Sequence, residues 1–242
     1  MAGEELTPAF VLHRRRYGDT SLLVELLTQE EGRIPVVARG AASLRSRRRA
    51  SLQPFVPLQA CWKGRGLVRT LARIEVVERV AGLSGKALYS GFYVNELITR
   101  LLPRYDPAPG LFRHYRDVLA GLRQEDSLDR VLRRFELRLL DELGYAPDLR
   151  HEEDGTPIRE EGWYRFQHES GFHRADATAE NSYSGKTLHA LAEDRPLTGE
   201  YQQQARHLMR TILAIYLGDR PLKSRELFRT MQPDQASPRK IP

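Results

Sequence analysis

Ser21-Leu22-Leu23-Val24-Glu25-Leu26-Leu27 and, four residues on, Gly32-Arg33-Ile34-Pro35-Val36-Val37-Ala38 form the stretch that decides the fold of this chain. In the first run Leu22, Val24 and Leu26 fall on one face with Glu25 between them, the period of two that marks a strand with one buried side. The second run carries Ile34, Val36 and Val37, and β-branched residues of this kind favour strands. Similar short runs flank the pair. Ala9–Arg16 precedes it, and Phe55–Trp62 and Leu67–Val80 follow, with Pro54 and Pro57 placing a bend or an edge in the first of these. Five short strands separated by Gly, Asp and Ser read as a small antiparallel barrel. Between the third and fourth strands, Arg39–Ser51 is too polar and too rich in arginine for a core element. It reads as a long loop with room for a helical turn.

Beyond Ser84 the period changes to three and four residues. Leu88, Phe92, Leu97 and Leu101 lie on one helical face that Pro103 closes, and Leu111–Leu122 forms a second helix after Pro107 and Pro109. A third starts from a cap at Asp126 or Ser127 and runs to Leu143, with Gly144 as its stop. Tyr145–Tyr183 reads as loop. Two helices follow at about Ser184–Glu193 and Gly199–Leu217, with a short one at Ser224–Met231. The expected plan is therefore a barrel over residues 1–82, a helical domain over 83–231 with a loop-rich insert at about 145–183, and a disordered tail at 232–242.

The 242 residues suffice for one large domain or two small ones with their own cores. The single cysteine, Cys61, excludes an intramolecular disulfide and a cysteine-based zinc site. The longest uncharged stretch, Ala50–Trp62, holds two prolines and is well short of the roughly 18 apolar residues of a membrane span. The N-terminus is acidic and lacks an apolar signal core, so a cytoplasmic protein is expected, with no membrane partner.

Charge is distributed unevenly. Residues 1–80 hold 14 Lys+Arg against 8 Asp+Glu, whereas residues 81–242 hold 24 of each. His13–Arg73 alone carries a net +9. Clustered fixed cations attract a polyanion and displace its counterions. A solvated surface is the alternative, but charge of this density favours nucleic acid. The candidate phosphate-binding residues are Arg14, Arg15, Arg16, Arg33, Arg39, Arg45, Arg47, Arg48, Arg49, Lys63, Arg65 and Arg69, because the planar guanidinium suits phosphate and base faces alike. The candidate base-stacking aromatics of the barrel are Phe10, Tyr17, Phe55 and Trp62, of which Phe10 and Phe55 read as core and Tyr17, between Arg16 and Gly18, is favoured as the exposed one.

The Leu128–Leu143 helix bears an apolar stripe of Leu128, Val131, Leu132, Phe135 and Leu139. Its other side carries Arg130, Arg133, Arg134 and Arg138, with Leu137 and Leu140 among them. Such a face suits either an acidic, apolar peptide or a neighbouring segment of the chain itself. Catalytic signals are weak. Gly64-Arg65-Gly66 lacks the lysine and helix of a phosphate loop, and no Gly-x-Ser-x-Gly elbow is present. Glu152, Glu153, Asp154, Glu160 and Glu161 leave a metal-dependent nuclease open, against the plainer reading of a solvated turn. No enzyme is expected.

Several blocks, in order, resemble the RecO family of bacterial DNA repair proteins. They are Phe10-Val-Leu-His13, Thr20-Ser-Leu-Leu23, Gly32-Arg33, Val37-Ala-Arg-Gly40, Leu52-Gln-Pro-Phe55, Leu88-Tyr-Ser-Gly91, Tyr93-Val-Asn-Glu96, Arg133-Arg-Phe-Glu136, Leu143-Gly-Tyr145 and Pro221-Leu-Lys-Ser-Arg-Glu-Leu-Phe228. The resemblance spans about residues 8–231. It implies an α+β protein: an N-terminal five-stranded antiparallel OB-fold barrel followed by an all-α C-terminal domain. It also implies binding of single- and double-stranded DNA and annealing of complementary strands without ATP or any cofactor. Action would be with RecR, on DNA coated by single-strand-binding protein (SSB), so that RecA is loaded indirectly, at the nucleoid. The acidic, apolar SSB tail would sit on Arg130, Arg133, Arg134, Leu137 and Leu140. Some family members carry a four-cysteine zinc site in the segment matching Tyr145–Tyr183. This chain has no cysteine there, so no metal is expected, and the segment is expected to hold through Trp163, Tyr164, Phe166 and Phe172. An OB-fold RNA-binding protein is the alternative function.

Overall fold

The computed structural model describes residues 5–124 and 127–224. Five strands, β1 (Thr7–Tyr17), β2 (Ser21–Thr28), β3 (Gly32–Ala38), β4 (Leu58–Lys63) and β5 (Arg69–Val76), close into a barrel in the order β1-β2-β3-β5-β4. The expected alternation is realised: Leu22, Val24 and Leu26 of β2 and Ile34 and Val36 of β3 fill the interior with Val11, Leu58 and Leu71. One seam departs from the antiparallel expectation. β3 and β5 pair in parallel, Val36 with Arg69 and Val37 with Thr70. The reason is the connection: residues 39–57 cross one end of the barrel to deliver β4 antiparallel to β3, and the turn after β4 reverses the chain again, so that β5 runs beside β3 in the same direction. The crossing holds a single short helix, α1 (Arg47–Ser51). A closed five-stranded barrel in this order, with a helix between β3 and β4, has the OB arrangement.

The helical part comprises α2 (Gly85–Leu101), α3 (Pro109–Arg123), α4 (Leu128–Glu142), α5 (Gly185–Ala192) and α6 (Gly199–Leu217). Ser127 stands at the N-cap of α4, while Asp126 lies outside the described residues. Gly144, with φ of 75°, stops α4 as its sequence suggests. Its N–H donates to Asp141 O, and that of Tyr145 donates to Leu140 O. The expected short helix at 224–231 and the tail at 232–242 lie outside the described residues, apart from Ser224.

The C-terminal part is not all-α. The stretch expected to be loop holds a three-stranded antiparallel sheet, β7-β6-β8, from β6 (Trp163–Gln167), β7 (Gly171–Arg174) and β8 (Ser182–Ser184). Tyr164 and Phe172 are fully buried, Phe166 packs on Phe172 at 5.3 Å between ring centres, and Tyr183 closes the cluster. Trp163 is only half-buried. The acids once open to a nuclease reading are dispersed: Glu152 faces Arg174, Glu153 faces His173 and Glu160 faces Arg195. Among the described residues no three His, Cys, Asp or Glu side chains converge as a metal site requires, and no helix is long and apolar enough to cross a membrane.

The barrel and helices share one apolar core. Phe10, Leu12, Leu27 and Phe55 leave the barrel to pack with Val94, Leu97, Leu111, Phe112 and Tyr115. Asn95 is the polar pin of this joint. Its Nδ2 donates to Leu12 O at 2.8 Å, and its Oδ1 accepts from the Tyr115 hydroxyl at 2.7 Å. Asn95→Ala leaves two buried groups without partners and is expected to cost about 3 kcal/mol. Urea unfolding should show a lowered midpoint with an unchanged slope.

Candidate nucleic-acid interface

Strand register arranges the outer barrel surface in rows. Arg15 lies opposite Leu23, Leu23 opposite Val37, Val37 opposite Thr70, and Thr70 opposite Lys63. Directly opposed residues share a face. These five therefore form one outward-facing row that runs round the barrel, with Arg15 and Lys63 at its two ends and Val24, Val36 and Leu71 on the inner side. Period-two alternation puts Tyr17 and Arg39 on the same outer side, next to the row. The lower part of this face, where Leu27 and Arg33 emerge, is covered by the helices, so the upper part is what remains open. Tyr17 is 49% exposed there.

The twelve candidate cations divide into two sets. Arg15, Arg16, Arg39, Arg45, Arg47, Lys63 and Arg65 are exposed, and their side chains make no hydrogen bond or ion pair among the described residues. The other five are engaged by the protein. Arg14 donates to Arg49 O at 3.0 Å, Leu52 O at 2.7 Å and Gln53 Oε1 at 3.0 Å, and so clamps α1 over the barrel end. Burial, with nearby Arg49 acting in the same direction, holds its pKa below the ordinary arginine value. Arg49 donates to Ala42 O at 2.9 Å, and Arg48 to Ala72 O at 3.0 Å. Arg69 pairs with Glu31 at 2.7 Å and lies over the Tyr105 ring at 5.1 Å. Arg33 donates to Leu102 O at 2.9 Å and faces Glu25 at 3.5 Å. Burial lowers its pKa; Glu25 opposes that shift and Arg104 adds to it. These arginines hold the loop and the joint in place, and the seven open cations depend on that frame.

A second feature lies on the helical part. A cleft of about 310 Å³ runs between α4, residues 146–150 and the α5–α6 connection. Arg130, Arg133, Arg134 and Leu137 line it, as the sequence suggested. Leu140 does not. It is fully buried, because α4 packs against α2 and α3 on one side and α6 on another, leaving a narrower open arc than one apolar stripe implies. Arg130 and Arg134 both reach Asp194, at 3.1 and 3.3 Å. Arg133 pairs with buried Glu136, which also accepts from the Tyr93 hydroxyl at 2.7 Å. The opposite wall, Leu149, Arg150, Leu191 and Leu197, was not found from sequence. It comes from segments 41 to 48 residues apart, and no local pattern links them.

A closed OB-type barrel with exposed cations on its outer surface and loops, sharing its core with a helical body, defines a class of two-part proteins built on an oligonucleotide-type barrel. Comparison with known proteins places the chain within that class: it belongs to the recombination protein O family. The model for the N-terminal part of that family matches residues 1–81, and the model for its C-terminal part matches 83–226. The chain is 44% identical over 225 residues to the DNA repair protein RecO of Haemophilus influenzae strain PittGG, covering 93% of this chain and 95% of the relative. It is 42% identical over 232 residues to that of Vibrio vulnificus strain CMCP6, covering 96% of each. It is also 46% identical over 226 residues to that of Methylococcus capsulatus strain Bath, covering 93% of each.

Proposed function

We propose that this protein acts in DNA repair by binding DNA on the open barrel face and annealing complementary strands without ATP. The observation that carries the reading is the set of seven exposed cations on the barrel and its loops, Arg15 and Lys63 among them, whose side chains make no hydrogen bond or ion pair among the described residues. Two polyanionic strands repel each other, and a surface of fixed cations screens that repulsion. Held through their phosphates alone, strands keep their base edges free and can slide into register. No bond is made or broken, so no cofactor or catalytic group is needed. The names of the relatives, each a DNA repair protein, support the setting. In this reading RecR and RecA act downstream of the annealed or cleared strand.

The test is a titration of labelled single-stranded DNA over a range of salt, beside RNA of matched sequence. Six neutralised phosphates would make log affinity fall with log salt at a slope of about −4. A flat response would sink the proposal. A clear preference for RNA would point instead to recognition of the 2′-hydroxyl.

The cleft on α4 is the proposed seat of the acidic, apolar SSB tail. Leu137, Leu149, Leu191 and Leu197 offer apolar contact, and the arginines around them suit carboxylates. Leu137→Asp places a negative charge in that cleft. It is expected to weaken binding of a synthetic tail peptide about tenfold or more, while DNA affinity at the barrel stays unchanged. Fluorescence anisotropy of the labelled peptide measures the first quantity. Equal peptide affinity in both proteins would remove the cleft from the account.

A further inference from the structure

Among the described residues the two most exposed large apolar side chains are Leu44, at 85%, and Leu67, at 81%. Single exposed leucines are ordinary, but the placement of these two is not random. Leu44 lies in the loop that leaves β3 directly after the open face, beside Arg45 and five residues after Arg39. Leu67 lies in the β4–β5 loop, two residues after Arg65, between the Lys63 and Thr70 at one end of the row.

Both loops are fixed by hydrogen bonds. Ala42 N–H donates to Thr20 O at 2.9 Å, Arg45 N–H to Ser43 Oγ at 3.3 Å and Ser46 N–H to Ser43 O at 3.1 Å, which turns Leu44 outward. The Tyr105 hydroxyl donates to Leu67 O at 2.8 Å, holding the second loop from the helical side. Each leucine is thus presented at a tip beside free cations, where a phosphate backbone held by the row would bring bases within reach.

We propose that Leu44 and Leu67 are apolar wedges that contact the faces of unpaired bases and keep them unstacked while the cations hold the backbone. This rests on the barrel face being the DNA site and adds to it a preference for unpaired nucleobases. A leucine cannot bond phosphate, so its only favourable partner on DNA is the apolar base face or sugar. Leucine is among the side chains that proteins insert between base steps. In single strands the unstacking such a wedge needs is cheapest, because no pairing is lost. The two wedges give the open face a way to favour single strands over a closed duplex that charge alone does not supply.

The test uses the full chain and the double variant Leu44→Ser, Leu67→Ser, whose exposed sites leave the core intact. The probe is a single strand carrying 2-aminopurine, whose fluorescence rises on unstacking, with a blunt duplex as comparison. The wild-type protein is expected to raise the fluorescence on binding. The double variant is expected to lose that rise and to bind the single strand about tenfold more weakly, with the same salt slope and the same affinity for the blunt duplex. Leu44→Met, Leu67→Met should restore both signals. Unchanged fluorescence and affinity in the serine variant would overturn the wedges while leaving the cationic face standing. A wild-type protein that binds neither DNA with a steep salt slope would overturn both.

Discussion

Replacing Arg15, Arg39 and Lys63 together by alanine is expected to lower affinity for single-stranded DNA about 100-fold at 0.1 M salt. The argument runs through counterions. Each cation that neutralises a phosphate contributes about 0.7 to the slope of log affinity against log salt on a single strand. Losing three contacts flattens the slope by about two units, and at 0.1 M two units are a factor of about 100. The three are chosen because register places Arg15 and Lys63 at the two ends of one outward-facing row round the barrel and alternation sets Arg39 beside it. None makes a side-chain hydrogen bond or ion pair among the described residues, so the fold should be untouched and the loss should apply to all base sequences alike. A run such as Arg47, Arg48 and Arg49 is a poorer target. Arg48 and Arg49 donate to Ala72 O and Ala42 O, so their removal would disturb the loop as well as the charge. Titrations at several salt concentrations, with thermal melting as the folding control, measure the effect. An unchanged slope would mean that DNA does not lie on this row.

Glu25→Ala is expected to produce the largest loss of stability, about 3–5 kcal/mol. Glu25 projects from β2 at the seam between the barrel and the segment after α2. Its carboxylate faces Arg33 at 3.5 Å and also pairs with Arg104. Its side chain is 9% exposed and that of Arg33 13%. Next to this pair the backbone of the two parts is joined directly, Tyr105 N–H donating to Arg33 O at 2.9 Å. Removing the carboxylate leaves two guanidiniums facing each other, one of them nearly enclosed, with nothing to balance their charge. Arg104→Ala in the same chain should recover part of the loss by removing one of the like charges. Chemical unfolding of the two single variants and the double variant measures the coupling. If Glu25→Ala costs no more than an exposed substitution, about 0.5 kcal/mol, the seam is not held electrostatically.

How much of this was legible in the sequence depended on the range of the interactions involved. The strands around Ser21–Ala38 and the helices from Gly85 onward follow from their own periodicity, because each buries one face and the chain writes that face at a fixed spacing. The β6–β7 hairpin was within reach and was passed over. Tyr164 and Phe166 alternate with Arg165 and Gln167, but five residues among so many charges read as loop. The parallel seam between β3 and β5 has no local signature, since it depends on how residues 39–57 cross the barrel end.

The candidate site divides in the same way. That the first third carries a dense positive charge was evident by counting. Which cations are open was not, because the partners of Arg14 lie 35 to 39 residues away and Arg33 bonds across 69. A consecutive arginine run looks uniform in sequence, yet Arg14 clamps a helix while Arg15 and Arg16 have no side-chain partner among the described residues. On α4 Arg130, Arg133, Arg134 and Leu137 line the cleft, while Leu140 turns into the core. A single helical stripe cannot show that a helix is packed on more than one side.

The account stands most directly on ATP-free annealing. Two complementary labelled oligonucleotides would be mixed, naked or coated with SSB, with and without this protein, and the rate of duplex formation followed by energy transfer. The account predicts rapid annealing by the wild-type chain, slowed steeply by added salt and by the Arg15, Arg39 and Lys63 triple replacement. Strands that anneal no faster with the wild-type protein than alone would contradict it.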